Sequence, residues 1–183
     1  TAISVIGAAQ IGNPGFSGGQ LVLGGTITNA FGGITLAREV SVSGRGPNSS
    51  NAAGGLLSVG YNTLSVGLTL SSGGSESRVT ATHGITTVSG TVNLGASGAS
   101  HFQGNGNWII SGQVTGVENV ADRFIKLGNI ISSTLWLQNG ANNFSVPIRI
   151  DGGTVRVSSP GALGISTVTS GATGSIDLNR SDA

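Results

Sequence analysis

Seven carboxylates, Glu39, Glu76, Glu118, Asp122, Asp151, Asp177 and Asp182, are the acidic groups available for chemistry in 183 residues. Hydrolysis of a glycosidic bond needs two of them facing one groove, about 5–10 Å apart. Only Glu118 and Asp122 are close in sequence. No carboxylate sits in a cluster of cations that would suit uronate lyase chemistry, and Asp151, just before Gly152-Gly153, reads as a turn residue. The two histidines, His83 and His101, have no acidic sequence neighbour. A metal site needs further ligands, so both read as surface or corner residues, and no metal or cofactor is expected. Gly15-Phe16-Ser17-Gly18-Gly19 fits G-x-S-x-G but lacks the strand–turn–helix setting of a nucleophile elbow. Three N-x-S/T sequons, at Asn48, Asn143 and Asn179, are weak signals in a chain this rich in Asn and Ser.

Trp136, Arg156 and Asp177 form the remaining constellation. They lie 20 and 21 residues apart, each between two aliphatics, in Leu135-Trp136-Leu137, Val155-Arg156-Val157 and Ile176-Asp177-Leu178. Residues alternate sides along a strand, so the aliphatics point one way and these three the other. Stacked in register, they would place a guanidinium between an indole and a carboxylate. Such a strip is either a stabilising surface ladder or, because an exposed Trp beside polar groups suits a sugar, a contact for a surface glycan.

The elements that must hold this strip are strands. Short runs rich in Val, Ile, Leu and Thr alternate with Gly and Asn, and Gly-Gly pairs at 18–19, 24–25, 32–33, 54–55, 73–74 and 152–153 mark corners. Leu21, Val42, Leu64 and Ile85, and then Val114, Leu135, Val155 and Ile176, follow one another at 20 to 22 residues. A recurrence of this length is the mark of a solenoid. The reading is one all-β domain over 1–183, a parallel β-helix of roughly eight or nine rungs of about 21 residues. Two stretches interrupt it: a polar loop over 45–51, and VENVADRFIK at 117–126, a charged insertion read as a loop or helical turn with Asp122 and Lys126 at i, i+4.

The segments LWLQNGANNFS (135–145), IRIDGGTVRV (148–157) and GALG (161–164) together resemble the autotransporter-associated β-strand repeat, or passenger-associated transport repeat. That unit runs approximately L-x-L-x-G-x-N-x-[FY]-x-G, a strand, G-G-T-L-x-V, then A-L-G. The resemblance covers about a quarter of the chain, Leu135 to Leu178, and GLLSVGYNTLSVGLTL at 55–70 looks like a degenerate copy. It departs from the pattern at Val146-Pro147, where the proline removes one ladder donor. The resemblance implies a right-handed parallel β-helix on secreted or outer-surface bacterial proteins. The family defines no catalytic site, so no functional residue is carried over.

Composition narrows the partners. Charged residues are 8% of the chain, the net charge is +1, and neither nucleic acid nor an acidic membrane has an electrostatic footprint to read. The chain has no Cys, and no apolar run reaches the length of a membrane span. Residues 1–5 read as strand, without the charged region that opens a signal peptide. The expectation is therefore a secreted, non-enzymatic rod, a fibre subunit, stalk or adhesin, with a carbohydrate-binding or polysaccharide-cleaving β-helix as the alternative. Open end rungs should pair with more of the same chain or with another copy.

Overall fold

The computed structural model of the protein describes residues 3–6, 20–24, 33–46, 54–71, 76–95, 98–116, 123–126 and 133–178. Its strands follow one another in coils: β1 (Ile3–Ile6), β2 (Leu21–Leu23) and β3 (Thr35–Leu36); β4 (Glu39–Ser43), β5 (Leu56–Val59) and β6 (Asn62–Leu64); β7 (Gly67–Leu70), β8 (Glu76–His83) and β9 (Ile85–Val88). The fourth and fifth coils are β10 (Thr91–Asn93), β11 (Ala99–Gln103) and β12 (Asn107–Ile110), then β13 (Val114–Thr115), β14 (Arg123–Lys126) and β15 (Thr134–Leu137). Two strands each make the last two, β16 (Ile148–Ile150) with β17 (Gly153–Val157), and β18 (Val168–Ser170) with β19 (Gly174–Leu178). Each strand pairs in parallel with its counterpart one coil away, giving three sheets, A (β1-β4-β7-β10-β13), B (β2-β5-β8-β11-β14-β16-β18) and C (β3-β6-β9-β12-β15-β17-β19). This is a β-solenoid.

Alternation along each strand builds the core. In sheet A, Val40, Leu68, Val92 and Val114 stack in one inward column. In sheet C, Leu64, Val88, Ile110, Leu137 and Val157 do the same. Phe102 from sheet B meets Trp108 from sheet C edge to face inside the stack, with ring centroids 5.2 Å apart. Buried polar groups are paired rather than excluded. Asn142 accepts from the Val114 amide (2.7 Å) and donates to the Ala162 carbonyl (2.7 Å), tying together a coil on each side of it. Asn62 and Thr86 both donate to the Ser58 hydroxyl, at 2.8 and 2.6 Å. At one corner Gly90 and Gly112 are obligatory: a Cβ on Gly112 would lie 1.9 Å from the Gly90 oxygen, and one on Gly90 2.0 Å from the Val66 oxygen.

The coil number and period differ from the sequence reading. The longest sheets hold seven strands, so the stack has seven coils and is about 30 Å long at ~4.8 Å per layer, not eight or nine coils of 21 residues. Down sheet C the register runs Leu36, Leu64, Val88, Ile110, Leu137, Val157, Leu178, in steps of 28, 24, 22, 27, 20 and 21. Only the last two steps have the short period. Leu21, Val42 and Leu64 belong to three different sheets, and Val114 belongs to sheet A rather than to the column of Leu135. Corner segments of unequal length set the spacing, and abundant aliphatics supplied the apparent matches at 21. Residues 123–126 are likewise strand β14, paired on both sides, and not a helical turn: the ladder sites offered by β11 and β16 outweigh a helical pattern this short. The rest of that segment, with Glu118 and Asp122, lies outside the described residues, as do Gly15–Gly19 and the sequons at Asn48 and Asn179.

Candidate functional site

Trp136, Arg156 and Asp177 come together on the outer side of sheet C as their spacing requires. The register places Trp136 opposite Arg156 and Arg156 opposite Asp177. The Arg156 guanidinium carbon lies 5.5 Å from the centre of the Trp136 ring, and Arg156 Nε donates to Asp177 Oδ2 at 2.7 Å. Trp136 Nε1 donates to Ser158 Oγ (2.6 Å), which fixes the indole. Beside this column runs a second of hydroxyls and an amide: Asn107 Oδ1 accepts from the Thr134 amide (2.8 Å), and Thr154 and Ser175 share a hydrogen bond of 2.8 Å. Between the columns is an open recess of about 200 Å³ lined by Ile85, Asn107, Ile109, Thr134, Trp136 and Arg156, with Trp108 at its floor. Trp108 itself is a core residue, fully buried, so of the two tryptophans only Trp136 offers a ring to the surface.

The ladder contributes little to stability. Arg156 and Asp177 side chains are 40% and 38% exposed, where ion pairs are screened and typically give under about 1 kcal/mol. A double-mutant cycle on Arg156→Ala and Asp177→Ala, read by urea unfolding, should give a coupling of about 0.5 kcal/mol that falls in high salt. A coupling several times larger would mean that the strip is a principal clasp between coils.

A second cluster lies on the outer side of sheet B, where no sequence argument had placed one. In β8 the residues Ser77, Val79 and Ala81 are fully buried, and Glu76 and Arg78 alternate with them. Glu76 Oε1 touches Arg45 Nε and lies 2.7 Å from Arg78 Nη2, while Glu76 Oε2 lies 2.9 Å from His101 Nε2. Arg45 comes from the preceding coil and His101 from the following one. His101 is paired in register with Arg78, and further along the sheet Arg149 holds Asp151 at 2.6 Å. His101 is 6% exposed, not the surface or corner residue expected, because β11 tucks it against the carboxylate and the two arginines.

Burial, followed by the charges of Arg78 and Arg45, lowers the His101 pKa from 6.5 to about 3. Glu76 at 2.9 Å acts in the opposite sense. The ring N–H is poorly aligned with that oxygen, however, and neither ring nitrogen completes a hydrogen bond. The carboxylate is also already shared with two guanidiniums. We therefore assign His101 as neutral at pH 7, with the depressed value the physically consistent one. Burial also lowers the pKa values of both arginines, with no consequence for their charge near neutrality.

The cluster contains a carboxylate, but one engaged by two arginines. A freely ionising group beside a second carboxyl, which glycoside hydrolysis requires, is a different arrangement. Among the described residues no group of three His, Cys, Asp or Glu is placed to hold a metal ion. No helix among the described residues is long and apolar enough to cross a membrane. Comparisons of the chain with protein-family models, with curated proteins and with solved structures find no match.

Proposed function

We propose that the protein is a non-enzymatic structural element, a β-solenoid rod that serves outside the cell as a fibre subunit, stalk or adhesin segment. The observation that carries this reading is the state of the last described coil. Ile176 and Leu178 occupy the inward columns below Val155 and Val157, yet are 39% and 60% exposed, because β19 pairs with β17 alone. Beside them Val157, Ser159, Pro160, Leu163 and Leu178 line a depression of about 290 Å³. A column of aliphatics ending in water, next to an unpaired parallel edge, is the surface on which another coil would stack. The likeness of residues 135–178 to a repeat of bacterial surface proteins supports an extracellular setting.

The partner for this edge is a further coil of the same kind, supplied by a second copy in end-to-end association. Sedimentation and negative-stain microscopy of the purified chain should show concentration-dependent linear assemblies, and Leu178→Lys should dissolve them while leaving the β-sheet circular dichroism intact. A monomer at every concentration, unchanged by Leu178→Lys, would refute end-to-end assembly.

A further inference from the structure

We propose that the recess on the outer face of sheet C binds a single neutral pyranose ring of a carbohydrate chain. The inference concerns the flank of the solenoid and stands independently of assembly at its end.

Three properties of the recess select this ligand class. The first is its walls. Ile85, Ile109 and the half-buried Trp136 give it an apolar side, and Asn107, Thr134 and Arg156 a polar one. A pyranose has the same division, with C–H faces that lie against an aromatic ring and hydroxyls around its rim.

The second is unused hydrogen-bonding capacity. Asn107 uses Oδ1 for the Thr134 amide, which leaves its Nδ2 donors without a partner among the described residues. The Thr134 hydroxyl and the terminal guanidinium nitrogens of Arg156 are likewise uncommitted there, since Arg156 meets Asp177 through Nε. Donors and an acceptor thus border the aromatic wall, and the indole cannot swing away because Ser158 holds its Nε1.

The third is charge and size. Asp177 balances Arg156 at 2.7 Å, so the strip has no surplus cation to favour a uronate or a sulfated sugar. A volume of about 200 Å³ lies below the roughly 300 Å³ at which drug-sized sites begin, which fits one ring rather than an oligosaccharide. Repetition along a glycan, and along associated rods, would supply avidity to a site that is weak alone.

The two tryptophans make the test direct, because Trp108 is buried and serves as an internal control. The 15N-labelled chain is titrated with the methyl glycosides of glucose, galactose, mannose and N-acetylglucosamine, and with methyl glucuronide. At least one neutral glycoside should move the Trp136 indole cross-peak saturably, at millimolar concentration, while that of Trp108 stays in place. Thr134→Val, which keeps the strand and the reporter, should weaken that response about two- to tenfold, the loss of one hydrogen bond. The proposal is overturned if no neutral glycoside moves Trp136, if the glucuronide alone does, or if Thr134→Val binds as tightly as the parent.

Discussion

Glu76→Ala should lower the free energy of unfolding by about 3 kcal/mol, among the largest losses a single substitution in this chain can cause. Glu76 is the anionic centre of the sheet B cluster, between Arg45 of the preceding coil, Arg78 of its own strand and His101 of the next. Removing it strands two guanidiniums beside each other with no counter-charge. Breaking a buried pair costs about 3–5 kcal/mol, and the lower end applies here because both arginine side chains retain some contact with water. Glu76→Gln keeps the volume but not the charge and should be almost as costly. The combined variant Arg45→Met, Glu76→Leu, Arg78→Met should recover most of the loss, because with no charge left there is none to strand. Urea unfolding of the four proteins decides the matter. If Glu76→Ala stays within about 0.5 kcal/mol of the parent, the value of an ordinary surface change, the cluster is not a clasp.

That cluster also marks the boundary of what could be read from the residues alone. Apolar–polar–apolar triplets report strand alternation directly, so β15, β17 and β19 and the ladder of Trp136, Arg156 and Asp177 were legible in type, position and mutual register. Consecutive coils there have almost equal lengths, and equal spacing in sequence becomes vertical stacking. Nearer the N-terminus the corners differ in length, so a fixed period aligns residues of different sheets, as it did with Leu21 and Val42. Arg78 and His101 are register partners 23 residues apart, outside any fixed repeat, and Arg45 reaches Glu76 from the end of what read as a polar loop. Glu76 and Arg78, two apart on one strand, were the available signal: charges at i and i+2 share a face. Their burial depends on coils packing around them, which no local pattern encodes. The helical reading of 123–126 failed for a related reason, since a four-residue segment takes its conformation from the ladder on either side of it.

Acid should destabilise the protein through His101, by an amount comparable to the loss of Glu76. In the unfolded chain the imidazole takes a proton below its ordinary value of 6.5, whereas in the folded coil it does so only near 3. Between those values the unfolded state binds more protons, so stability falls as pH falls. The contribution is fully present above pH 6.5, declines through the window from 6.5 to about 3, and is spent below it. At about 1.4 kcal/mol per unit of displacement, the whole window is worth several kcal/mol, of which roughly 2 kcal/mol is lost by pH 5. The charges around the ring explain why it resists protonation: Arg78 beside it, Arg45 across Glu76, and Arg149 further along the sheet oppose an imidazolium, with Asp151 a lesser opposing influence. His101→Gln removes this titration and leaves every carboxylate in place. The difference in unfolding free energy between parent and variant, measured at pH 7.5, 5.5 and 4.5, therefore isolates the histidine from carboxylate titration common to both. The parent's advantage should shrink steadily toward acid, and the imidazole resonances of His101 should titrate near 3. A difference that stays constant over that range, or one that grows in acid, would mean that His101 is charged in the folded protein and that Glu76 dominates its surroundings.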